Sequence, residues 1–290
     1  MSGTAAATGL DHLVIGVHDL DAAGAFYERL GFTVGARNRH PWGTENRIVQ
    51  FSGAFLELIT VADSSSIPEA GPRRFSFGAF VRDALARGEG PSMLVLESRD
   101  AAADAARFAA AGIGDYETFF FEREGRRPDG ATVRVAFSLA FAADPAAEEC
   151  GFFVCQQHEP QNFWNPALQR HANGAAALAA VVMLAPEPAA HAPFLRAYSG
   201  GSIDEGNGDI VVGLPRGRID VLDADTASAI YHHPAEPLPP QFLGFCVSVD
   251  DLDAVAARLE AQDIEFHASD DRIVVPAERA HGCLIAFERA

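Results

Sequence analysis

Glu57 is the first residue that could do chemistry. It sits between Leu56 and Leu58 in an apolar run that reads as a strand. A charge there is costly unless it is paired or used. Desolvation in an apolar cavity drives a carboxylate towards its neutral form, which suits a general base. The bland alternative is a strand whose other face meets solvent. His12 is the second candidate, since an imidazole can bind a metal or a proton or can be hydrogen-bonded in a core. The third is a polar and aromatic stretch with His40, Trp42, Thr44, Asn46 and Arg47, read either as turn chemistry or as a substrate lid or anchor. Cys155 reads first as a small core residue. His158-Glu159 opens like a zinc-protease HExxH, but Asn162 stands where the second histidine belongs. No GxxxxGK[ST] or GxGxxG is present, so nucleotide sites of those kinds are not expected. Phe51, Phe55, Phe137, Phe141, Phe153, Phe163 and Trp164 read mainly as core. Those that line a pocket would favour an apolar or aromatic ligand.

The elements that must position these residues repeat. Leu10 to Gly31 reads as a strand running into an amphipathic helix, with Asp19 or Asp21 as cap and Gly31 as stop. Alternation puts His12, Val14, Gly16 and His18 on one strand face, and Leu13, Ile15 and Val17 on the other. The same pattern returns near Ser92, Leu178 and Phe242. In the first copy, strands are expected at Phe32–Ala36, Arg47–Ser52 and Ala54–Val61, followed by an extra helix over Phe75–Arg87. The second copy has a helix over Asp100–Ala111 and strands at Tyr116–Arg123, Thr132–Phe141 and Gly151–Gln157. A turn is expected at Arg126–Gly130 and a loop at His158–Asn173. The third and fourth copies carry strands at Leu178–Leu184, Asp209–Val212, Arg218–Leu222, Phe242–Val249, Ile264–His267, Arg272–Val275 and Cys283–Phe287. Their helices fall at Ala189–Tyr198 and Leu252–Ala261, and His232–Pro240 reads as a Pro-rich linker. One βαβββ sheet is apolar on one face and must pair. The expected class is therefore α+β, with four modules paired into two barrel-like domains over residues 8–174 and 175–290.

Composition narrows the partners. A net charge of −18 argues against nucleic acid and anionic membrane. The longest apolar run, Ala175 to Ala185, is too short to span a bilayer, and the opening MSGTAAATG has no signal-peptide pattern. Cys150, Cys155, Cys246 and Cys283 show no CxxC spacing and read as reduced thiols of a cytoplasmic protein.

The stretch LDHLVIGVHDLDAAGAFYERLGF resembles the opening module of the vicinal oxygen chelate superfamily. The segment Arg39-His-Pro-Trp-Gly-Thr-Glu-Asn-Arg47, followed by Phe55-Leu-Glu-Leu-Ile59, looks like its glyoxalase-like branch. The specific match covers about residues 10 to 185. The resemblance implies a divalent metal (Zn, Ni, Mn or Fe), held by the first and last strands of each module pair. Carried over, the first-module positions are His12 and Glu57. In the second module they are Ser92, a poor ligand, and Cys155 or Gln156, with the register open. In the second domain they are Ala179, Asp220, Gly244 and about Ala286, three of which cannot bind a metal through a side chain.

Two functions follow from that resemblance. One is a metal-dependent lyase or isomerase acting on a small, partly apolar carbonyl compound. In it, His12 and Glu57 hold the ion and Glu57 moves a proton. Its pocket would include His40, Trp42, Thr44, Asn46, Ser92, Phe137 and Phe153. The alternative is a metal-free protein that binds or sequesters a small molecule, as bleomycin-resistance relatives do. Ring-cleaving dioxygenation ranks lower, because it asks for two histidines and a carboxylate and only one histidine stands in place. The partner is a small molecule, and monomer and homodimer are both compatible with the chain.

Overall fold

The computed structural model describes residues 7–126, 130–206, 208–236 and 238–290. The expected Arg126–Gly130 turn falls largely outside them. The first half of the chain runs β1 (Leu10–Gly16), α1 (Leu20–Arg29), β2 (Asn38–Arg39), β3 (Thr44–Gln50) and β4 (Phe55–Val61). It continues with α2 (Phe77–Arg87), β5 (Gly90–Glu97), α3 (Ala101–Ala111), β6 (Phe119–Arg126), β7 (Thr132–Ala142), β8 (Gly151–Gln157) and the short α4 (Pro160–Phe163). These strands form one eight-stranded sheet in the order β2-β3-β4-β1-β5-β8-β7-β6, curled into a half-barrel.

The second half repeats the plan. It has β9 (Ala177–Leu184), α5 (Ala192–Ser199), β10 (Ser202–Gly206), β11 (Asp209–Gly213), β12 (Arg218–Leu222) and α6 (Ala224–Tyr231). It ends with β13 (Gln241–Val249), α7 (Leu252–Ala261), β14 (His267–Ala268), β15 (Arg272–Val275) and β16 (Leu284–Arg289). The order β10-β11-β12-β9-β13-β16-β15-β14 matches the first sheet strand for strand. The α+β class with paired βαβββ modules therefore holds. Among the described residues no helix is long and apolar enough to cross a membrane.

Period-two alternation decides which side chains meet. Leu13, Ile15, Leu56, Leu58, Leu94, Leu96, Phe152 and Val154 join residues of the second half in one continuous core between the sheets. Their neighbours Val14, Ile59, Met93, Val95, Phe153 and Cys155 form a separate cluster on the concave side of the first sheet. At the seam, Phe152 packs edge-on against Phe194 (4.7 Å between ring centres) and Phe242 (5.5 Å). The Tyr198 hydroxyl reaches the backbone carbonyls of Phe153 (2.6 Å) and Leu94 (2.9 Å) across it. Burying each such ring contributes roughly 1.5–3 kcal/mol. The apolar core thus runs on across residues 174 and 175.

Several elements differ from expectation. Phe32–Ala36 is not a strand: Thr33 N bonds to the His171 ring and Gly35 N to the Ile48 carbonyl, so no ladder forms. The short β2 pairs with β3 instead, which makes Thr44 and Asn46 strand residues rather than loop residues. Strand β10 and helix α6 were not anticipated. Polar β10 carries an exposed edge with little apolar signal. Helix α6 is only eight residues long and is capped by Asp223.

Candidate functional site

The concave side of the first sheet encloses a narrow slot of about 50 Å³. Aromatic rings close it where the two sheet edges approach. Trp42 lies 5.2 Å from Phe119 and 4.9 Å from Phe121, and it stacks on His40 at 4.6 Å. Phe137, Phe153 and Phe163 complete the wall. The slot opens into an outer basin of about 610 Å³, and Ile48, Arg123 and Phe163 line both.

A chain of polar groups lines the slot. Asp11 Oδ1 holds His12 Nδ1 at 2.5 Å, and Gln157 Nε2 donates to Asp11 Oδ2 at 3.0 Å. Bonding to Asp11 fixes the imidazole and aims Nε2 into the slot. Glu57 Oε2 lies 3.8 Å from that nitrogen. Asn46 Nδ2 donates to Glu57 Oε1 at 2.5 Å and stands 3.4 Å from His40 Nε2. Thr44 Oγ1 holds the other His40 nitrogen at 2.8 Å. His12 stacks on Phe55 with ring centres 4.2 Å apart. Asp11, His12 and Glu57 are 2%, 4% and 6% exposed, so this polar chain works at low dielectric. Burial pushes His40 below the ordinary histidine value, Glu57 partly offsets this, and Arg123 adds to it. Burial also pushes the Cys155 thiol well up, so it stays protonated and is a poor ligand.

Strand pairing settles which positions correspond between modules. β1 and β5 pair antiparallel with His12 opposite Val95 and Val14 opposite Met93. β1 pairs β4 with Val14 beside Glu57, and β5 pairs β8 with Val95 beside Phe153. The pseudo-twofold therefore relates His12 to Met93 and Glu57 to Phe153. The helix caps agree, because Asp19 and Asp100 each stand seven residues beyond His12 and Met93.

This corrects three placements. Ser92 lies at a break in the β1–β5 register and lines a different pocket, with Glu89 and Gln241. Gln156 faces away from the slot, and its side chain accepts from Ala101 N. Cys155 does line the slot, but one alternate residue beyond the corresponding position. Of the remaining residues, His12, Glu57, His40, Trp42, Asn46, Phe137 and Phe153 come together there. Thr44 supports His40 from behind. Arg47 points away and pairs with Asp21 on α1 at 2.7 Å. Asp11 and Arg123 were missed. Arg123 had a readable signal, because alternation along Phe119, Phe121 and Arg123 puts a charge on an apolar strand face, as it does for Glu57.

The donor set decides whether a metal fits. His12 and Glu57 supply two donors, and the two related positions hold a thioether and a phenyl ring. Among the described residues no group of three or more His, Cys, Asp or Glu side chains could hold an ion. The residues therefore do not fit a metal held by the protein's own four positions.

In the second half, pairing gives Ala180, Asp220, Gly244 and Ala286 at the same four positions. Ala180 replaces the expected Ala179; the other three are as expected. Gly244 is needed here, since a Cβ would lie 1.8 Å from the Leu284 carbonyl oxygen. Asp220 accepts from Arg218 at 3.0 Å, and Arg218 also grips Glu288 with two bonds of 2.9 Å.

The family model for the glyoxalase-like domain matches residues 10–199. No curated protein matches the sequence significantly. Among solved structures, a hypothetical protein from Staphylococcus aureus superposes with a TM-score of 0.69 at 13% identity, covering 97% of this chain and 99% of its own. A mutant 4-hydroxymandelate synthase from Streptomyces coelicolor gives 0.60 at 12% identity, covering 98% and 93%. A Mn(II)-bound glyoxalase from Novosphingobium aromaticivorans gives 0.53 at 16% identity, covering 98% and 82%. At such identities these neighbours speak to the fold alone. The family match, which spans about two thirds of the chain, goes further: the protein belongs to the glyoxalase-like domain family, within the vicinal oxygen chelate superfamily.

Proposed function

We propose that the slot of the first half is the working site, and that it moves a proton on a small, partly apolar carbonyl compound. The observation that carries this is the buried sequence Asp11–His12–Glu57, with an imidazole nitrogen and a carboxylate oxygen facing each other at 3.8 Å. That separation is too long for a direct hydrogen bond. It leaves room for a reacting group to meet both.

The chemistry divides between two residues. Glu57 takes the proton from the carbon beside the carbonyl. His12 gives its Nδ1–H to Asp11, and in the imidazolium form it also donates from Nε2 to the carbonyl oxygen as charge develops there, handing that proton over to form the enediol. Returning the proton to the neighbouring carbon completes an isomerisation, and expelling a leaving group completes a lyase reaction. Asn46 keeps the Glu57 carboxylate aimed, and the aromatic wall excludes water. The donor set gives no step through a metal.

The test is deuterium exchange followed by NMR, on a panel of α-hydroxy and α-oxo carbonyl compounds. The wild type is expected to label the carbon beside the carbonyl, and Glu57→Gln to lose about 10²-fold or more of that rate. Exchange that survives Glu57→Gln overturns the assignment. So does exchange that disappears on chelation and returns with added Mn²⁺. Compounds that raise thermal stability yet never exchange would turn the site into one for binding or sequestration.

A further inference from the structure

We infer that the ligand of this cavity is an anion, an apolar carboxylic acid whose carboxylate docks on Arg123. The inference rests on the reading above only in taking this cavity as the ligand site.

Arg123 belongs to β6, where it follows Phe119 and Phe121 on the concave face. It stands where the inner slot meets the outer basin and lines both. The residue is half-buried, and the partial loss of solvent disfavours its charge. An arginine nonetheless stays protonated in any protein environment. A cation partly withdrawn from water gains from a partner of opposite charge. Among the described residues no carboxylate lies within ion-pair distance of Arg123. Its recorded hydrogen bond is a long one, 3.4 Å from Nη1 to the Glu124 carbonyl oxygen. Glu57 acts on it from further away.

The other arginine of the basin, Arg37, is in a different situation. It is already held by Asp21 and Glu45. Among the described residues the basin therefore offers one guanidinium whose fork is not taken up by an acid. Such a fork matches a carboxylate in geometry and charge.

The size of the two spaces fixes the rest of the ligand. The slot of about 50 Å³ holds no more than a small head group, on the scale of a few waters. The carbonyl enters there, towards His12 and Glu57. The carboxylate stays at the rim on Arg123. The apolar remainder lies in the basin against Phe163, Trp164 and Leu168. This preference runs against the field of the whole molecule, whose net charge of −18 repels anions. Any selectivity for acids must therefore be local.

The test compares phenylalkanoic acids of two to six chain carbons with their uncharged amides. Binding is followed by fluorescence of the two tryptophans, one in each space. At least one acid is expected to bind the wild type about tenfold or more tightly than its amide. Arg123→Gln should remove that ratio and Arg123→Lys should keep part of it, with circular dichroism confirming the fold of each. Equal affinity of acid and amide overturns the proposal. So does a ratio that persists in Arg123→Gln, or the absence of saturable binding by every acid. These readouts need no turnover. Loss of the proton-transfer reading would leave the acid preference standing, and loss of the preference would leave the exchange assay unaffected.

Discussion

The two halves place opposite contents in the same frame. In the first, His12 and Glu57 face the slot, and among the described residues no arginine or lysine forms an ion pair with Glu57. In the second, Asp220 at the position of Glu57 is answered at once by Arg218, which also holds Glu288. Burial raises the Asp220 carboxyl above its ordinary value, and Arg218 only partly offsets this. The second half has thus spent its polar groups on each other, whereas the first keeps them turned towards whatever enters. On the proposed reading, an imidazole and a carboxylate facing an open slot mark the half that binds, and the closed ion-pair network marks the half that supports.

If that contrast is right, stability and activity should separate. Arg218→Ala leaves Asp220 and Glu288 close together without their shared cation, although Arg272 still lies 3.6 Å from Glu288. Breaking a largely buried pair from one side costs about 3 kcal/mol. Glu57→Gln keeps an acceptor for Asn46 and should cost about 1 kcal/mol or less. Urea unfolding of the two variants measures both. Equal losses would erase the distinction between a supporting and a binding half.

A smaller effect should come from the seam. Tyr198 on α5 reaches the carbonyls of Leu94 and Phe153, and Phe153 is also part of the slot wall. Tyr198→Phe removes that buried hydrogen bond and should cost about 1 kcal/mol. The site of Arg218→Ala shares no partner with it, so the two losses should add. Strong non-additivity, read from the double variant in the same urea series, would mean that the halves communicate through the seam.

Much of the frame was legible. Module order, the strand–helix openings and the inward faces of His12 and Glu57 all follow from alternation and from caps, which are local properties of the chain. The corresponding positions in the second module were not placed, because counting from the strand start fails where the β1–β5 register breaks at Ser92. Counting back seven residues from the cap of the first helical turn after each strand reaches His12, Met93, Ala180 and Gly244 alike, since Asp19, Asp100 and Asp251 cap α1, α3 and α7 and Glu187 precedes the 3-10 turn Pro188–His191 that leads into α5. Asp11 was hidden for a different reason. As the neighbour of His12 it should face the opposite side, but the bulge between Leu10 and His12 lets it reach back to the ring. A bulge is a pairing event between distant segments, and no single stretch of sequence announces it.

The gentlest test of the slot is its response to acid. His40 is half-buried, and its value lies below the ordinary 6.5, chiefly through desolvation. The hydrogen-bond pattern agrees, since an unprotonated Nε2 can accept from the Asn46 amide that also serves Glu57. As the pH falls through 6.5, the unfolded chain binds a proton at this residue before the folded one does. Stability is therefore full above that point, declines below it, and levels once the folded His40 is protonated too. His171 and His233 are lowered by burial in the same sense and contribute their own shares. His40→Gln cannot titrate, so the melting temperature should fall less between about pH 7.5 and 5 than in the wild type. Parallel curves would show that His40 is already free to take a proton in the folded slot. The polar chain would then be open to solvent, unlike the closed ion-pair network of the second half.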